Sequence, residues 1–400
     1  MEKFISEYES FLIIMGKRQE KIIKEILDSA DIKVNGSRQW DIQVNNDNLF
    51  ARILAKGTLG VGESYMDSWW DCGSLDQLLS KAFETNIDQK LGLGKKLEVI
   101  FFILASKLLN MQRKAKAFEI GEKHYDVGNE LMSKMLGKTM AYSCGYWEGL
   151  EHNPKNLDKA QEQKIDLICR KLKLEPGMKV LDIGCGWGSF LEYSARKYGV
   201  EITGVTVSKE QAKYAAERCK GLPVRVLLKD YRTLNEKFDR VLSIGMFEHV
   251  GPKNYRKYME ITDKYLKKDG LAFLHTIGGN KSVKVINPWI HKYIFPNAVI
   301  PSAKQITNAA EGIFLIEDWH NFGEDYDKTL MIWYHNFNKA WPELKKLKGR
   351  DGKYLYDERF RRMWDFYLLS CAATFRVRKN NLWQIVFSRE KEYSSYYRIR

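Results

Sequence analysis

The sequence predicts an α/β protein, with a doubly wound, mainly parallel sheet across residues 118–400 behind a smaller α+β domain at residues 1–117. Three observations carry this expectation. From residue 157 onward, short apolar segments alternate with amphipathic helical ones, the pattern of a parallel sheet covered by helices on both faces. The first of those strands runs straight into a Gly-x-Gly-x-Gly turn that opens a helix. Before residue 117 the pattern differs, and a chain of 400 residues has room for two domains.

Residues 13–30 read as an amphipathic helix with Ile22, Ile23, Ile26 and Leu27 on one side. Residues 42–44 and 49–53 read as short strands about an Asn45-Asn46 turn. Residues 57–65, punctuated by glycines, read as a loop before the aromatic pair Trp69-Trp70. Residues 95–118 place Leu97, Ile100, Phe101, Leu104, Leu108 and Met111 near helical spacing, with Lys107, Arg113, Lys114 and Lys116 in the second half. Such a helix either packs two domains together or docks on an anionic surface. A domain boundary is expected near residue 117. Beyond it, residues 157–173, 189–198, 209–219 and 253–266 read as helices. Residues 179–183, 201–207, 224–228, 238–244, 271–276 and 382–387 read as strands.

Composition removes several classes of function. A hydrophobic fraction of 44% is too high for a disordered chain. The apolar run at residues 99–105 falls far short of the roughly 20 residues a spanning helix needs. The first residues, Met1-Glu2-Lys3-Phe4, lack a secretory pattern, and the last, Tyr397-Arg398-Ile399-Arg400, carry no lipidation motif. Cys72, Cys144, Cys169, Cys185, Cys219 and Cys371 are scattered without a C-x-x-C pair, so neither a metal site nor a disulfide framework is expected. Free thiols suit a reducing cytoplasm. Net charge is +14, and residues 281–400 alone hold 21 basic and 13 acidic side chains. Positive charge serves a nucleic acid or an anionic membrane equally well. The basic tract Lys345-Lys346-Leu347-Lys348-Gly349-Arg350 reads as a solvated loop.

Chemistry first shows in Val180-Leu181-Asp182-Ile183-Gly184-Cys185-Gly186-Trp187-Gly188. Glycines between strand and helix let a ligand approach the backbone, and helix N–H groups receive an anion. A dinucleotide site would have G-x-G-x-x-G, but position 189 is serine. With Asp182 two residues before Gly184, the turn resembles the S-adenosylmethionine loop of class I methyltransferases; taken alone, it is equally a tight turn. Asp230-Tyr231-Arg232 follows the third strand, where an acid pairs with an adenine amino group and a ring stacks. Many such enzymes end the second strand in an acid that binds ribose. Here Thr206 holds that place, with Ser208 and Gln211 following and Gln211 able to share the role.

A more specific resemblance rests on several long motifs. They are His124-Tyr125-Asp126-Val127-Gly128-Asn129, Tyr142-Ser143-Cys144-Gly145-Tyr146-Trp147, Gly245-Met246-Phe247-Glu248-His249-Val250-Gly251 and Leu274-His275-Thr276-Ile277-Gly278. Further matches lie at 62–70, 289–296, 317–326 and 382–388. In these stretches the chain resembles the cyclopropane-fatty-acyl-phospholipid synthases over nearly its whole length. The resemblance implies a class I methyltransferase-type sheet, S-adenosylmethionine as methylene donor and a phospholipid acyl double bond as acceptor. It also implies a bound bicarbonate ion as base, caged by Cys144, Glu248, His275, Ile277 and Tyr326. His275, Tyr326 and the Ile277 amide would donate to the anion, and Glu248 would accept its proton. Each residue taken singly has a structural reading as a salt bridge or a satisfied core group. Cys371 matches a cysteine associated with the family's active site; a small pocket-lining residue is the simpler reading. Tyr142, Ser143, Asp182, Gly184, Cys185, Gly186, Gly188, Thr206, Ser208, Gln211, Asp230, Tyr231 and Arg232 are the expected cofactor contacts. Tyr142, Trp147 and Tyr326 offer ring faces to cationic charge. The resemblance further implies a homodimer on the inner face of the cytoplasmic membrane, with no nucleic-acid partner. Amine methylation and catalytically silent lipid binding are the competing readings.

Overall fold

The computed structural model describes residues 19–87, 128–349, 351–389 and 396–400. The helix expected at 95–118, the boundary near 117 and the His124–Val127 part of the first motif lie outside the described residues. Two compact units emerge. Of the described residues, 19–87, 287–294, 341–349 and 351–379 form one unit, and the others form the second. The division is therefore not a single cut in the sequence.

In the first unit, β1 (Gln43–Val44) pairs antiparallel with β2 (Trp70–Asp71). The strand expected at 49–53 is instead part of the helix Leu49–Lys56, with Leu49, Phe50 and Ile53 buried along one face. Their i, i+1, i+4 spacing is helical, and a five-residue stretch is too short to reveal it. The glycine-punctuated segment is also a helix, Thr58–Met66, rather than a loop. Its glycines serve close packing: a Cβ on Gly60 would lie 2.5 Å from the Arg52 carbonyl oxygen, and one on Gly62 would lie 2.4 Å from the Trp289 ring. Glu63 is buried beside them and accepts hydrogen bonds from Lys56 (2.9 Å), Lys292 (2.6 Å) and Tyr293 (3.0 Å). Burial opposes its charge, but these donors win and hold the carboxyl at about 2. Arg362, on the helix Glu358–Arg376, stacks 4.0 Å from the Tyr65 ring centroid and donates to the Trp70 carbonyl and to Asp71. Distant stretches of chain are thus joined into one unit.

The second unit holds a seven-stranded sheet of order β5-β4-β3-β6-β7-β9-β8. Its strands are β3 (Lys179–Ile183), β4 (Glu201–Thr206), β5 (Val224–Leu228), β6 (Phe238–Ile244), β7 (Leu266–Gly279), β8 (Leu315–Asn321) and β9 (Asn380–Ser388). The first five in sequence are parallel, whereas β9 runs antiparallel to both β7 and β8. The expected parallel sheet thus gains an antiparallel edge. β8 has no sequence signal: its bulge between Ile316 and Asp318 breaks the alternation, and Leu315 and Ile316 are exposed. Two apolar clusters cover the sheet, one including Leu181, Val241, Phe247 and Tyr258, the other Ile168, Val180, Leu191 and Phe273. Strand order reverses between β3 and β6, where doubly wound sheets bind ligands beyond their C-terminal strand ends. Among the described residues, no helix is long and apolar enough to cross a membrane and no acidic, histidine and cysteine cluster could hold a metal.

Candidate active site

The glycine turn lies at that reversal. Gly184, Gly186 and Gly188 have φ of 89°, 53° and 82°, the left-handed region that an L side chain enters at a cost. A Cβ on Gly184 would press on Met246 at 2.9 Å, but one on Gly186 would meet nothing within 4 Å. The turn is pinned by the Gly184 and Cys185 amides donating to Val205 O, at 2.9 and 3.0 Å. It opens into a cavity of about 200 Å3.

Of the expected cofactor contacts, Tyr142, Ser143, Asp182, Gly184, Cys185, Gly186, Thr206, Gln211, Asp230, Tyr231 and Arg232 line this cavity. Gly188 and Ser208 do not: Gly188 packs toward Ala215, and the Ser208 hydroxyl caps the helix Lys209–Arg218 by accepting from the Gln211 amide. Thr206 donates to Gln211 Oε1 at 3.0 Å, so a neutral pair stands at the end of β4. Asp230 is buried and accepts from the Arg232 amide and guanidinium at 2.5–2.9 Å. Its negative charge is therefore already paired before any adenine arrives. Tyr231 lies beside it, 5.8 Å from Tyr258.

Lys164 and His249 also line the cavity, and sequence reasoning passed over both. Burial pushes the His249 imidazole down to about 4, which keeps it neutral. Asp182 is buried, its Oδ1 has no hydrogen-bond partner among the described residues, and burial raises its carboxyl to about 7. An acid with one oxygen unpartnered among the described residues, a backbone cradle that a side chain would fill and a neutral ribose-side pair fit the amino-acid end, the sulfur and the ribose of S-adenosylmethionine.

The expected anion cage lies beside this cavity rather than in its lining. Glu248 sits in the turn Phe247–His249 after β6. Its Oε1 accepts from the Ile277 amide at 2.7 Å, while Oε2 is buried without a partner among the described residues. Desolvation raises its carboxyl to about 7, against the Ile277 hydrogen bond that favours the charged form. The Ile277 amide, expected to donate to an anion, here donates to Glu248. His275, on β7, is 1% exposed and faces Gln384 across the antiparallel pair, Nδ1 to Nε2 at 3.4 Å. Its Nε2 is buried without a partner among the described residues, and burial keeps the ring neutral. Cys144 donates to the Gly145 carbonyl and lies 3.9 Å from the Thr329 hydroxyl; burial drives its thiol well up.

Thr329, outside every motif, and Asp325, within the 317–326 stretch but given no role there, seat this loop. Both the Gly145 amide and the Trp147 indole donate to Thr329 Oγ1, at 3.1 and 3.0 Å, and the Trp147 amide donates to Asp325 at 2.8 Å. Tyr326 stands next to Asp325 on the helix Glu324–Leu344. Trp333 joins Tyr326 to Tyr142, at 6.1 and 5.4 Å between ring centroids. Glu248 and Ile277 are therefore in contact, and Cys144 and Tyr326 are fixed to one helix. Among the described residues, the hydrogen bonds of His275 and Cys144 run to their own supports and not to Glu248. Cys371 lies on the helix Glu358–Arg376 of the first unit, outside the lining of the cavity, and burial pushes its thiol up to about 12.

A glycine turn at the switch point, with Asp182 before it and Asp230 beyond the third strand, is the arrangement of class I S-adenosylmethionine-dependent methyltransferases. Residues 112–385 match the family model described as mycolic acid cyclopropane synthetase. The chain belongs to this cyclopropane synthase family. It is 49% identical over 372 residues to the cyclopropane-fatty-acyl-phospholipid synthase of Escherichia coli K12, covering 93% of this chain and 94% of that one. The cyclopropane synthase MmaA2 of Mycobacterium tuberculosis superposes with a TM-score of 0.61 at 30% identity, over 68% of this chain and 97% of that one. A mycolic acid cyclopropane synthase complexed with SAH (S-adenosylhomocysteine) and CTAB gives 0.59 at 29% identity, over 68% and 97%.

Proposed function

We propose that the enzyme transfers a methylene from S-adenosylmethionine to the cis double bond of an unsaturated phospholipid acyl chain, closing a cyclopropane ring. Glu248 is the observation that carries this reading, because a buried carboxylate with one unpartnered oxygen is a proton acceptor in waiting. Bound S-adenosylmethionine supplies an electrophilic methyl group. The alkene is a weak nucleophile, so Tyr142 and the glycine turn must hold the reacting groups in line and exclude water. Tyr142 and Tyr326, bound to Trp333, would offer ring faces to the positive charge that develops. Thr206 and Gln211 would contact ribose, and Asp230 with Tyr231 the adenine.

The proton that leaves before ring closure needs a base. Glu248 Oε2 and His275 Nε2 are both buried and unpartnered, one an acceptor and the other, in the tautomer protonated there, a donor. That pair suits bicarbonate, which carries one O–H and several acceptor oxygens. His275 and Glu248 would hold the ion, with Tyr326 and Cys144 closing the site. Its chemistry would be that of a small base. Removing dissolved carbon dioxide is expected to lower turnover at least tenfold, with recovery on adding bicarbonate. Undiminished turnover would reject the ion and leave Glu248 itself as the base.

Reaching an acyl chain requires work at the inner membrane surface. Lys345, Lys346, Lys348 and Lys353 are exposed beside Tyr354 and Leu355, themselves 65% and 52% exposed. Segments 345–349 and 351–355 are tied together by Leu355 N to Leu347 O and Gly349 N to Lys353 O. Each lysine near an anionic surface contributes about 1 kcal/mol. Sedimentation with phosphatidylglycerol vesicles should show binding that weakens with salt and drops about tenfold in the Lys346→Glu, Lys348→Glu double variant. Equal binding to neutral vesicles at all salt concentrations would refute the docking role.

A further inference from the structure

Lys164 is the largest investment in this site that the reaction leaves unexplained. It lies in the middle of the helix Leu157–Lys171, yet it is only 2% exposed and lines the cofactor cavity. A lysine is almost never fully buried unless it is paired. Lys164 forms no ion pair among the described residues. Its ammonium donates one hydrogen bond, to the Ser143 hydroxyl at 2.8 Å, and its other two donors have no protein acceptor among the described residues. In the lining of the same cavity, the buried Asp182 also lacks an ion-pair partner among the described residues, and its Oδ1 has no hydrogen bond to any of them. Opposite charges that share one cavity and do not meet leave room for something that carries both.

We infer that Lys164 is a cofactor-binding residue that receives the α-carboxylate of S-adenosylmethionine, while Asp182 receives its α-ammonium. The inference rests on this cavity holding the cofactor, as set out above. A zwitterion fits the pair in the right sense, a carboxylate for the ammonium donors and an ammonium for the partnerless carboxylate oxygen. Neighbouring groups support the placement. Gln161, one helical turn before Lys164, donates to the Ser143 carbonyl at 2.7 Å and fixes the loop that Lys164 reaches. Burial weakens both charges, lowering Lys164 to about 8 and raising Asp182 to about 7. A ligand that brings the complementary charges restores both.

A purely structural lysine, one that only ties helix to loop through Ser143, predicts a different pattern of ligand affinities. Calorimetric titration of the full chain with three ligands separates the two. S-adenosylhomocysteine carries the complete amino-acid end. Its decarboxylated analogue keeps the ammonium but lacks the carboxylate, and 5′-methylthioadenosine lacks both. In Lys164→Met, affinity for S-adenosylhomocysteine should fall about 10- to 100-fold, the worth of a charge-assisted hydrogen bond. Affinity for 5′-methylthioadenosine and the decarboxylated analogue should stay within about threefold of wild type. Equal weakening of all three, or no weakening, would overturn the assignment. The wild-type protein gives a second test that needs no variant: it should prefer S-adenosylhomocysteine over the decarboxylated analogue at least tenfold, and equal affinities would reject the carboxylate contact. Failure of wild type to bind any of the three would instead reject the cofactor reading itself.

Discussion

Glu248→Gln is expected to cut turnover by about 10²- to 10³-fold, the usual worth of a positioned proton acceptor, with S-adenosylhomocysteine affinity within about threefold of wild type. The substitution is nearly isosteric, and a glutamine Oε1 still accepts from the Ile277 amide at the position Glu248 Oε1 holds. What changes is the second oxygen, which becomes an NH2 donor and no longer accepts a proton. Burial sets the wild-type carboxyl at about 7. Its charged, accepting form is therefore present above that pH and lost as pH falls through it. The wild-type rate should decline on the acid side of about pH 7, and the glutamine variant should lose this limb. A variant with normal turnover, or one whose main defect is cofactor binding, would remove Glu248 from the proton-transfer role.

Gly186→Leu is expected to abolish measurable cofactor binding, a loss of about 100-fold or more, while the protein remains folded. Adding a side chain at φ 53° costs about 1–2 kcal/mol in backbone strain. That is tolerable for a domain stabilised by roughly 5–15 kcal/mol. Among the described residues, no atom beyond the chain neighbours lies within 4 Å of the new Cβ, so the side chain leaves the backbone into open space. Its effect falls on whatever occupies the cavity that Gly186 lines. Calorimetry with S-adenosylhomocysteine, beside a thermal melt, measures both halves. Wild-type affinity in this variant would mean that the cofactor does not pass over the turn.

The catalytic sheet was legible because its signals are local. β3 and the helix Ser189–Tyr198 are marked by an apolar run, three glycines and a periodic stripe within twenty residues. The first unit was harder to read. Leu49–Lys56 offered only a short stretch, and the glycines of Thr58–Met66 look like loop residues until Arg52 and Trp289 are seen against them. β8 is an exposed, bulged edge, so neither burial nor alternation marks it.

The same logic divides the site. Glycines and motif residues announce themselves, whereas supports depend on partners far along the chain. Ile277 reaches Glu248 across 29 residues, Gln384 faces His275 across 109, and Thr329 holds Gly145 across 184. No spacing rule links such pairs. Lys164 is a special case: a lysine on a charged helix reads as solvated, and only its burial shows otherwise.

Methylene transfer to an acyl double bond is the central claim, and the lipid product tests it most directly. Purified enzyme is incubated with S-adenosylmethionine and vesicles of a cis-unsaturated phospholipid, and the released acyl chains are analysed by mass spectrometry. The account predicts chains that have gained one CH2 and lost the double bond to a three-membered ring. Unchanged chains, a methylated chain carrying a hydroxyl group, or methylation confined to a water-soluble amine would contradict it.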